Sequence, residues 1–264
     1  MISIFCINLF CEDSERFTWY SIYMTGYVYQ KPFLPEGVDG YCSLACCMWV
    51  MNFFWNTQFC RQNNREMMKL MKAGNYSGYE MLDIPEIAYR LSLLGFRITY
   101  YSSMSFEQYS EYLSNPVTKI FHVMSPKYHK FIKDGFFEIP IYDIKIDLSD
   151  VTYEKKIMKS DQIKKVYDTD LLSILKQDKS DDSLFMFWVS YHILHDEPEE
   201  EGNNGGHVIL VSSINENNEV IIHDPWRPTL RYYPVSFDKF SEAVLDSWEF
   251  NFMHIQYENV SSII

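Results

Sequence analysis

The chain has 264 residues, of which 47% are hydrophobic and 17% aromatic, and its formal net charge is −13 at pH 7. This length and composition suit one domain with a sizeable buried core. The negative charge argues against a broad phosphate-binding surface, which needs clustered Lys and Arg, and no run of about 18 apolar residues is present to span a membrane. We therefore expect neither a nucleic-acid partner nor a membrane partner.

The beginning of the chain, MISIFCINLFC, is apolar but has no basic residue before it and no small-residue cleavage site. We therefore expect residues 1–26 to be an N-terminal arm or a first strand rather than a secretory signal.

All six cysteines lie in the first quarter of the chain, and no two of them form a C-x-x-C pair. This spacing favours reduced thiols in a cytoplasm over a disulfide framework or a zinc site.

The first half of the chain reads as a loop followed by helices. Pro and Gly in residues 30–41 predict the loop, and the apolar run CSLACCMWVMNFFW (42–55) predicts a buried helix. A second helix is predicted over NREMMKLMKAG (64–74), with its glycine as the C-cap. In DIPEIAYRLSLLGFRITYYS (83–102), Pro at the first turn, helical spacing and a Gly stop predict a helix and then a strand, FRITYY.

The second half reads mainly as strands. Residues 105–180 mix short helical signals with charged turns, and SLFMFWVSYHIL (183–194) predicts one buried strand. A hairpin follows, then a helix in VSFDKFSEAVLDS (235–247) and a last strand in FNFMHIQY (250–257). Helices early and antiparallel strands late predict an α+β fold.

The hairpin GGHVILVSSINENNEVIIHDPW carries an imidazole and a carboxylate near its open end. If the loop has two to four residues, the numbers of two residues that lie opposite each other on the two strands add up to about 431 to 433. His207 then lies opposite a position near 224 to 226, and its side chain can meet that of Asp224. A carboxylate there would fix the tautomer of the ring and stabilise its protonated form, which predicts a base and its orienting partner.

Cys42 is the candidate nucleophile. It follows a loop and begins a helix, where unpaired backbone N–H groups and the helix dipole stabilise a thiolate. Cys46 lies one turn further along the helix and is expected to point into the core as a small hydrophobic side chain.

Together these two blocks, DGYCSLAC and the late GGHVILVSS…VIIHDPW hairpin, resemble the papain-like peptidases that remove double-glycine leaders from bacteriocins. They are closer still to the relatives of those enzymes, including the guanylyl-cyclase-annotated branch. The resemblance covers residues 27–257. The residues that match the two family motifs are Cys42, Ala45, Cys46, Gly206, His207, Asp224 and Pro225.

The resemblance implies a bacterial protein with a papain-like cysteine peptidase fold. In that fold an N-terminal helical half, with the catalytic helix, packs on a C-terminal antiparallel sheet. It implies one domain over residues 27–257, a tail at 258–264, and catalytic roles for Cys42 as nucleophile, His207 as base and Asp224 as orienter.

The chain departs from the family pattern at the oxyanion hole and beside the nucleophile. The family commonly has Gln about six residues before the Cys, and here that place holds Glu36, whose carboxylate would repel an oxyanion. Gln30 is the candidate donor if the loop after it is longer than usual, and backbone N–H groups at the start of the Cys42 helix are the alternative. Ser43 stands where Gly is frequent.

These observations predict a cysteine hydrolase that cleaves a peptide or amide bond through a thioester, without a cofactor. Two alternatives use the same residues differently: an acyltransferase with an amine acceptor, and a peptide-binding module without activity. The expected partner is a peptide or protein substrate, and the sequence does not fix the oligomeric state.

A zinc site built from the late histidines is not predicted. His192 and His195 would share one side only on a helix, and their run reads as a strand. His223 should alternate to the face opposite Asp224.

Overall fold

The structure, a computed structural model, describes residues 42–55, 69–71, 82–117, 126–139, 144–177, 183–198, 206–225, 233–247 and 251–257. Its helices are α1 (Cys42–Trp55), α2 (Ile84–Leu93), α3 (Phe106–Ser114), α4 (Thr152–Lys159), α5 (Leu171–Gln177), α6 (Tyr191–His195) and α7 (Phe237–Leu245), with a 3₁₀ turn at Pro126–Phe131. Its strands are β1 (Arg97–Ser102), β2 (Ile132–Lys133), β3 (Phe136–Ile139), β4 (Ile144–Asp147), β5 (Ile163–Val166), β6 (Ser183–Ser190), β7 (Gly206–Ile214), β8 (Glu219–His223), β9 (Tyr233–Ser236) and β10 (Asn251–Gln256). Across these ranges, no helix is both long and apolar enough to cross a bilayer.

The main sheet has seven strands in the order β5-β1-β10-β6-β7-β8-β9, and a separate small sheet has the order β2-β3-β4. Only the β1–β5 pair is parallel among the pairs of the described sheets. The α+β class is therefore confirmed. The expectation of a purely antiparallel, C-terminal sheet was wrong, because β1 and β5 extend the late strands at one edge.

The main sheet is buried on both faces. All eight residues of β6 are buried, and their side chains alternate between two cores. Leu184 and Met186 pack with α1 and α2, whereas Phe185 and Phe187 pack on the other face with α7. The two covered faces explain why the six inner residues of this strand, LFMFWV, are all apolar.

The predicted buried helix α1 is confirmed, with its first eleven residues buried. It packs against β7, and the Ser43 hydroxyl accepts a hydrogen bond from the Leu82 N–H at 3.2 Å. The predicted helix and strand at 83–102 are also confirmed as α2 and β1. Gly95 between them has φ +90°, a conformation that explains the glycine.

The predicted strand at 183–194 is shorter than expected. β6 ends at Ser190, and the next five residues form helix α6, which ends at Asp196 in the left-handed conformation with φ 54°. A short apolar run has no periodicity that separates a strand from one helical turn, so the boundary was not visible in the sequence.

The late hairpin is present, with a four-residue turn at 215–218 between β7 and β8. Near the tip Ile214 pairs with Val220, and near the open end Leu210 pairs with His223. The residue numbers of two paired positions therefore add up to 434 near the tip and to 433 near the open end. The change of register occurs at a β-bulge at Ser212. The open end has the predicted register, and the tip differs by one because of the bulge.

Other predictions fall wholly or partly beyond the described ranges. The arm at 1–26, the loop at 30–41 and the tail at 258–264 lie outside the described residues. Of the helix predicted at 64–74, residues 69 and 70 are helical, and Gly74 lies outside.

Candidate functional site

The open end of the β7–β8 hairpin brings an imidazole and a carboxylate together. His207 is the second residue of β7, and Asp224 directly follows β8. Nε2 of His207 lies 2.7 Å from Oδ1 of Asp224, and the Asp224 side chain is fully buried. An ionised carboxylate only accepts hydrogen bonds, so Nε2 is the protonated nitrogen of this pair, and Nδ1 remains for another partner.

The electrostatics of the pair favour two opposite charges. Burial alone would lower the pKa of His207, but the charge and hydrogen bond of Asp224, together with Cys42, raise it to about 10. Burial likewise would raise the pKa of Asp224, but the charge of His207 and the contacts with His195 and His207 hold it well below its usual range. At neutral pH the site therefore holds an imidazolium and a carboxylate.

Cys42 lies beside this pair. It is the first residue of α1 and is 9% exposed, and it is near enough to His207 to help raise the pKa of that ring. The three residues predicted from the two sequence blocks are thus neighbours in the fold.

The next two cysteines of α1 differ from Cys42 in their surroundings. Cys46 and Cys47 are fully buried, and burial is the largest cause that raises the pKa of each thiol. The Cys46 thiol donates a hydrogen bond to the Val208 carbonyl at 3.4 Å. Cys46 is therefore a packed core side chain, as predicted.

A second histidine, which the sequence analysis did not include in the site, contacts the same carboxylate. Nε2 of His195 lies 2.6 Å from Oδ2 of Asp224, at ion-pair distance, although its N–H points away from the line of a good hydrogen bond. The Tyr233 hydroxyl is 3.5 Å from both Oδ2 of Asp224 and Nδ1 of His195. No local signal in this short apolar run separates a helical turn from the end of a strand, so sequence reasoning could not place His195 beside Asp224.

The remaining late histidines point elsewhere. The His223 ring packs edge-on against Trp49 of α1 at 4.5 Å between ring centroids, as expected for the face opposite Asp224. His192 is buried, and within the described structure neither of its ring nitrogens has a hydrogen-bond partner. In the ranges that the structure covers, no three His, Cys, Asp or Glu side chains are arranged to hold a metal ion.

The predicted oxyanion donor, Gln30, lies outside the described residues, as does Glu36. The alternative donors, the backbone N–H groups of the first turn of α1, belong to a helix that begins at the candidate nucleophile. Such first-turn groups have no acceptor within their own helix.

Comparison with known proteins gives no assignment. No model of a known protein family matches the chain, and no curated protein sequence matches it significantly.

Proposed function

We propose that the protein is a papain-like cysteine hydrolase that cleaves a peptide or amide bond with Cys42, His207 and Asp224. The observation that supports this most is the contact of one imidazole with both a buried carboxylate and a thiol at a helix start. A nucleophile, a base and an orienting carboxylate in this order are the parts that acyl transfer through a thioester requires.

In the proposed reaction the Cys42 thiolate attacks the carbonyl carbon of the substrate, and the carbonyl oxygen becomes an oxyanion. The His207 imidazolium gives its Nδ1 proton to the leaving amine, the C–N bond breaks, and a thioester to Cys42 remains. Neutral His207 then takes a proton from water, whose oxygen attacks the thioester. The acid product leaves, and the sulfur and the imidazolium are restored.

Asp224 has two tasks in this scheme. Its Oδ1 holds the Nε2–H of His207, so that Nδ1 faces the sulfur and the leaving group. Its negative charge stabilises the imidazolium, which is the form that the first step uses.

The first test measures the alkylation rate of Cys42 by iodoacetamide against pH, with the labelled residue identified by mass spectrometry. We expect fast labelling at pH 6 and a fall of about tenfold or more in His207→Gln, because the imidazolium no longer stabilises the thiolate. Cys46 and Cys47 are internal controls, since burial raises the pKa of both thiols. The proposal would be contradicted if labelling of Cys42 began only near the pKa of a free thiol, about 8.5, and proceeded at the same rate in the original protein and in His207→Gln.

A second test separates an enzyme from a binding module that retains a reactive thiol. The protein is mixed with peptide p-nitrophenyl esters, and the mass of the peptide that contains Cys42 is followed with time. An acyl adduct that forms and then decays supports turnover through a thioester. If no adduct forms although the Cys42 thiol is alkylated at pH 6, a binding role explains the site better than catalysis.

A further inference from the structure

Asp224 is held from two sides by two imidazoles. Oδ1 faces Nε2 of His207 at 2.7 Å, and Oδ2 faces Nε2 of His195 at 2.6 Å. The side chains of both histidines are almost fully buried, with exposed fractions of 6% and 3% respectively. The described contacts thus divide the carboxylate, one oxygen for each ring.

Helix α6 determines where the second ring lies. The chain leaves β6 at Ser190 and makes a single helical turn, which puts Tyr191 and His195 four residues apart on one side. The Tyr191 ring contacts the His195 ring at 4.5 Å and the His207 ring edge-on at 5.6 Å, both measured between centroids. One aromatic ring therefore packs against both imidazoles and restricts their rotation.

We propose that His195 is a positioning residue of this site, which fixes Oδ2 of Asp224 so that Oδ1 points at His207. This inference rests on the proposed function, since positioning matters only if His207 acts on Cys42. His195 would not touch the substrate; it would act through Asp224. The reason is geometric: a carboxylate turns about its Cβ–Cγ bond, and a contact at one oxygen limits where the other oxygen points.

The His195 ring lies among groups from four elements of the fold. The groups near its ring are Asp224 from the end of β8, His207 from β7, Tyr233 from β9 and Tyr191 from its own helix. Of these, the Tyr233 hydroxyl lies 3.5 Å from Oδ2, a long distance for an O–H···O hydrogen bond. On the outer side, Asp196 forms an ion pair with Lys239 of α7.

The test compares His195→Phe with His195→Gln and with His192→Phe. Phe keeps a ring of similar size but has no nitrogen, and the Gln amide places a donor near the position of Nε2. His192 is the matched control, because it lies on the same helix, is also buried, and has no hydrogen-bond partner within the described residues. The readouts are the titration of the His207 ring by NMR and the alkylation rate of Cys42 at pH 6.

We expect His195→Phe to lower the titration midpoint of His207 and to slow alkylation about tenfold, because Oδ2 of Asp224 loses its 2.6 Å contact with Nε2 and the carboxylate can turn away from His207. His195→Gln should restore most of both, and His192→Phe should change neither. A midpoint of His207 that stays the same or rises in His195→Phe would overturn the inference.

A measurement on the unmodified protein keeps the inference falsifiable if His195→Phe does not fold. Two-bond ¹⁵N–¹H correlations report which ring nitrogen of His195 carries a proton. A proton on Nε2 is expected, and a neutral ring protonated only at Nδ1 would overturn the inference, because it cannot donate to Oδ2. If His207→Gln leaves alkylation unchanged, the proposed function fails. If that variant slows alkylation and His195→Phe does not, only the role of His195 fails.

Discussion

Replacement of Asp224 by Asn should make the stability of the protein depend on pH in a way that reports the charge pair. Asn has the same shape and keeps an oxygen for the His207 N–H, but it removes the negative charge. The pKa of His207 is about 10 in the folded protein and 6.5 in the reference state. A raised folded-state pKa stabilises the fold fully below 6.5, and this contribution is lost as the pH rises through 10.

The size of the effect follows from these two values. The linkage relation gives a stabilisation from His207 of about 5 kcal/mol at pH 6, about 3 kcal/mol at pH 8 and about 1 kcal/mol at pH 9. The difference in unfolding free energy between the original protein and Asp224→Asn should therefore shrink by about 3 to 4 kcal/mol between pH 6 and pH 9. On the acid side the depressed pKa of Asp224 acts in the opposite sense, so its contribution is lost as the pH falls below its ordinary value of 3.8.

Urea unfolding followed by circular dichroism at pH 6, 8 and 9 measures the effect. Asp196→Asn is the matched control, because Asp196 forms an exposed ion pair with Lys239, and such pairs contribute little. The reasoning would be refuted if the difference in unfolding free energy between the original protein and Asp224→Asn stayed constant from pH 6 to pH 9.

Two further predictions concern the core. Burial and the neighbouring Asp83 carboxyl raise the pKa of Glu154 to about 8, so its contribution to stability is lost as the pH rises from 4.5 through 8. Glu154→Gln should therefore gain about 2 to 3 kcal/mol more in unfolding free energy at pH 7 than at pH 5, relative to the original protein. An equal change at both pH values in urea unfolding would contradict this. Phe187 is fully buried and stacks on Phe252 at 4.7 Å, so Phe187→Ala should cost about 3 to 5 kcal/mol in the same assay, and a loss below about 1 kcal/mol would count against the two-core description.

The parts of the fold that could be predicted are those in which a local signal and the tertiary environment agree. The run at 42–55 is apolar on every side, and α1 is buried over its first eleven residues. In α2 the capping residue Asp83, Pro85 in the first turn and Gly95 after the last turn all mark boundaries, and the helix ends within two residues of them. The hairpin followed from alternation and turn residues, and its register brought His207 and Asp224 together.

What could not be predicted depends on contacts between distant segments. The chain leaves the sheet after Ser190 because α6 packs against α7, about fifty residues later, and nothing within the aromatic run marks that exit. His195 therefore could not be placed beside Asp224 from the sequence. The same applies to the parallel strand β5, whose charged sequence IKKV has only one fully buried position beside β1.

The bulge at Ser212 decides whether the imidazole lies on the same side of the sheet as the carboxylate. At the tip of the hairpin Ile214 packs on the α7 side, whereas beyond the bulge Val211 and Ile209 occupy that side. His207 points to the same face as Ile209, two residues further on, and Asp224 points there too, because the register after the bulge places it opposite Ile209. If the register of the tip continued without the bulge, Leu210 would lie opposite Asp224, and the imidazole and the carboxylate would point to opposite faces. The site should thus tolerate both Ser212→Ala and deletion of Ser212, because the deletion removes only the extra residue and keeps Val211 opposite Ile222. Loss of the alkaline midpoint in the NMR titration of His207 in either variant would contradict this.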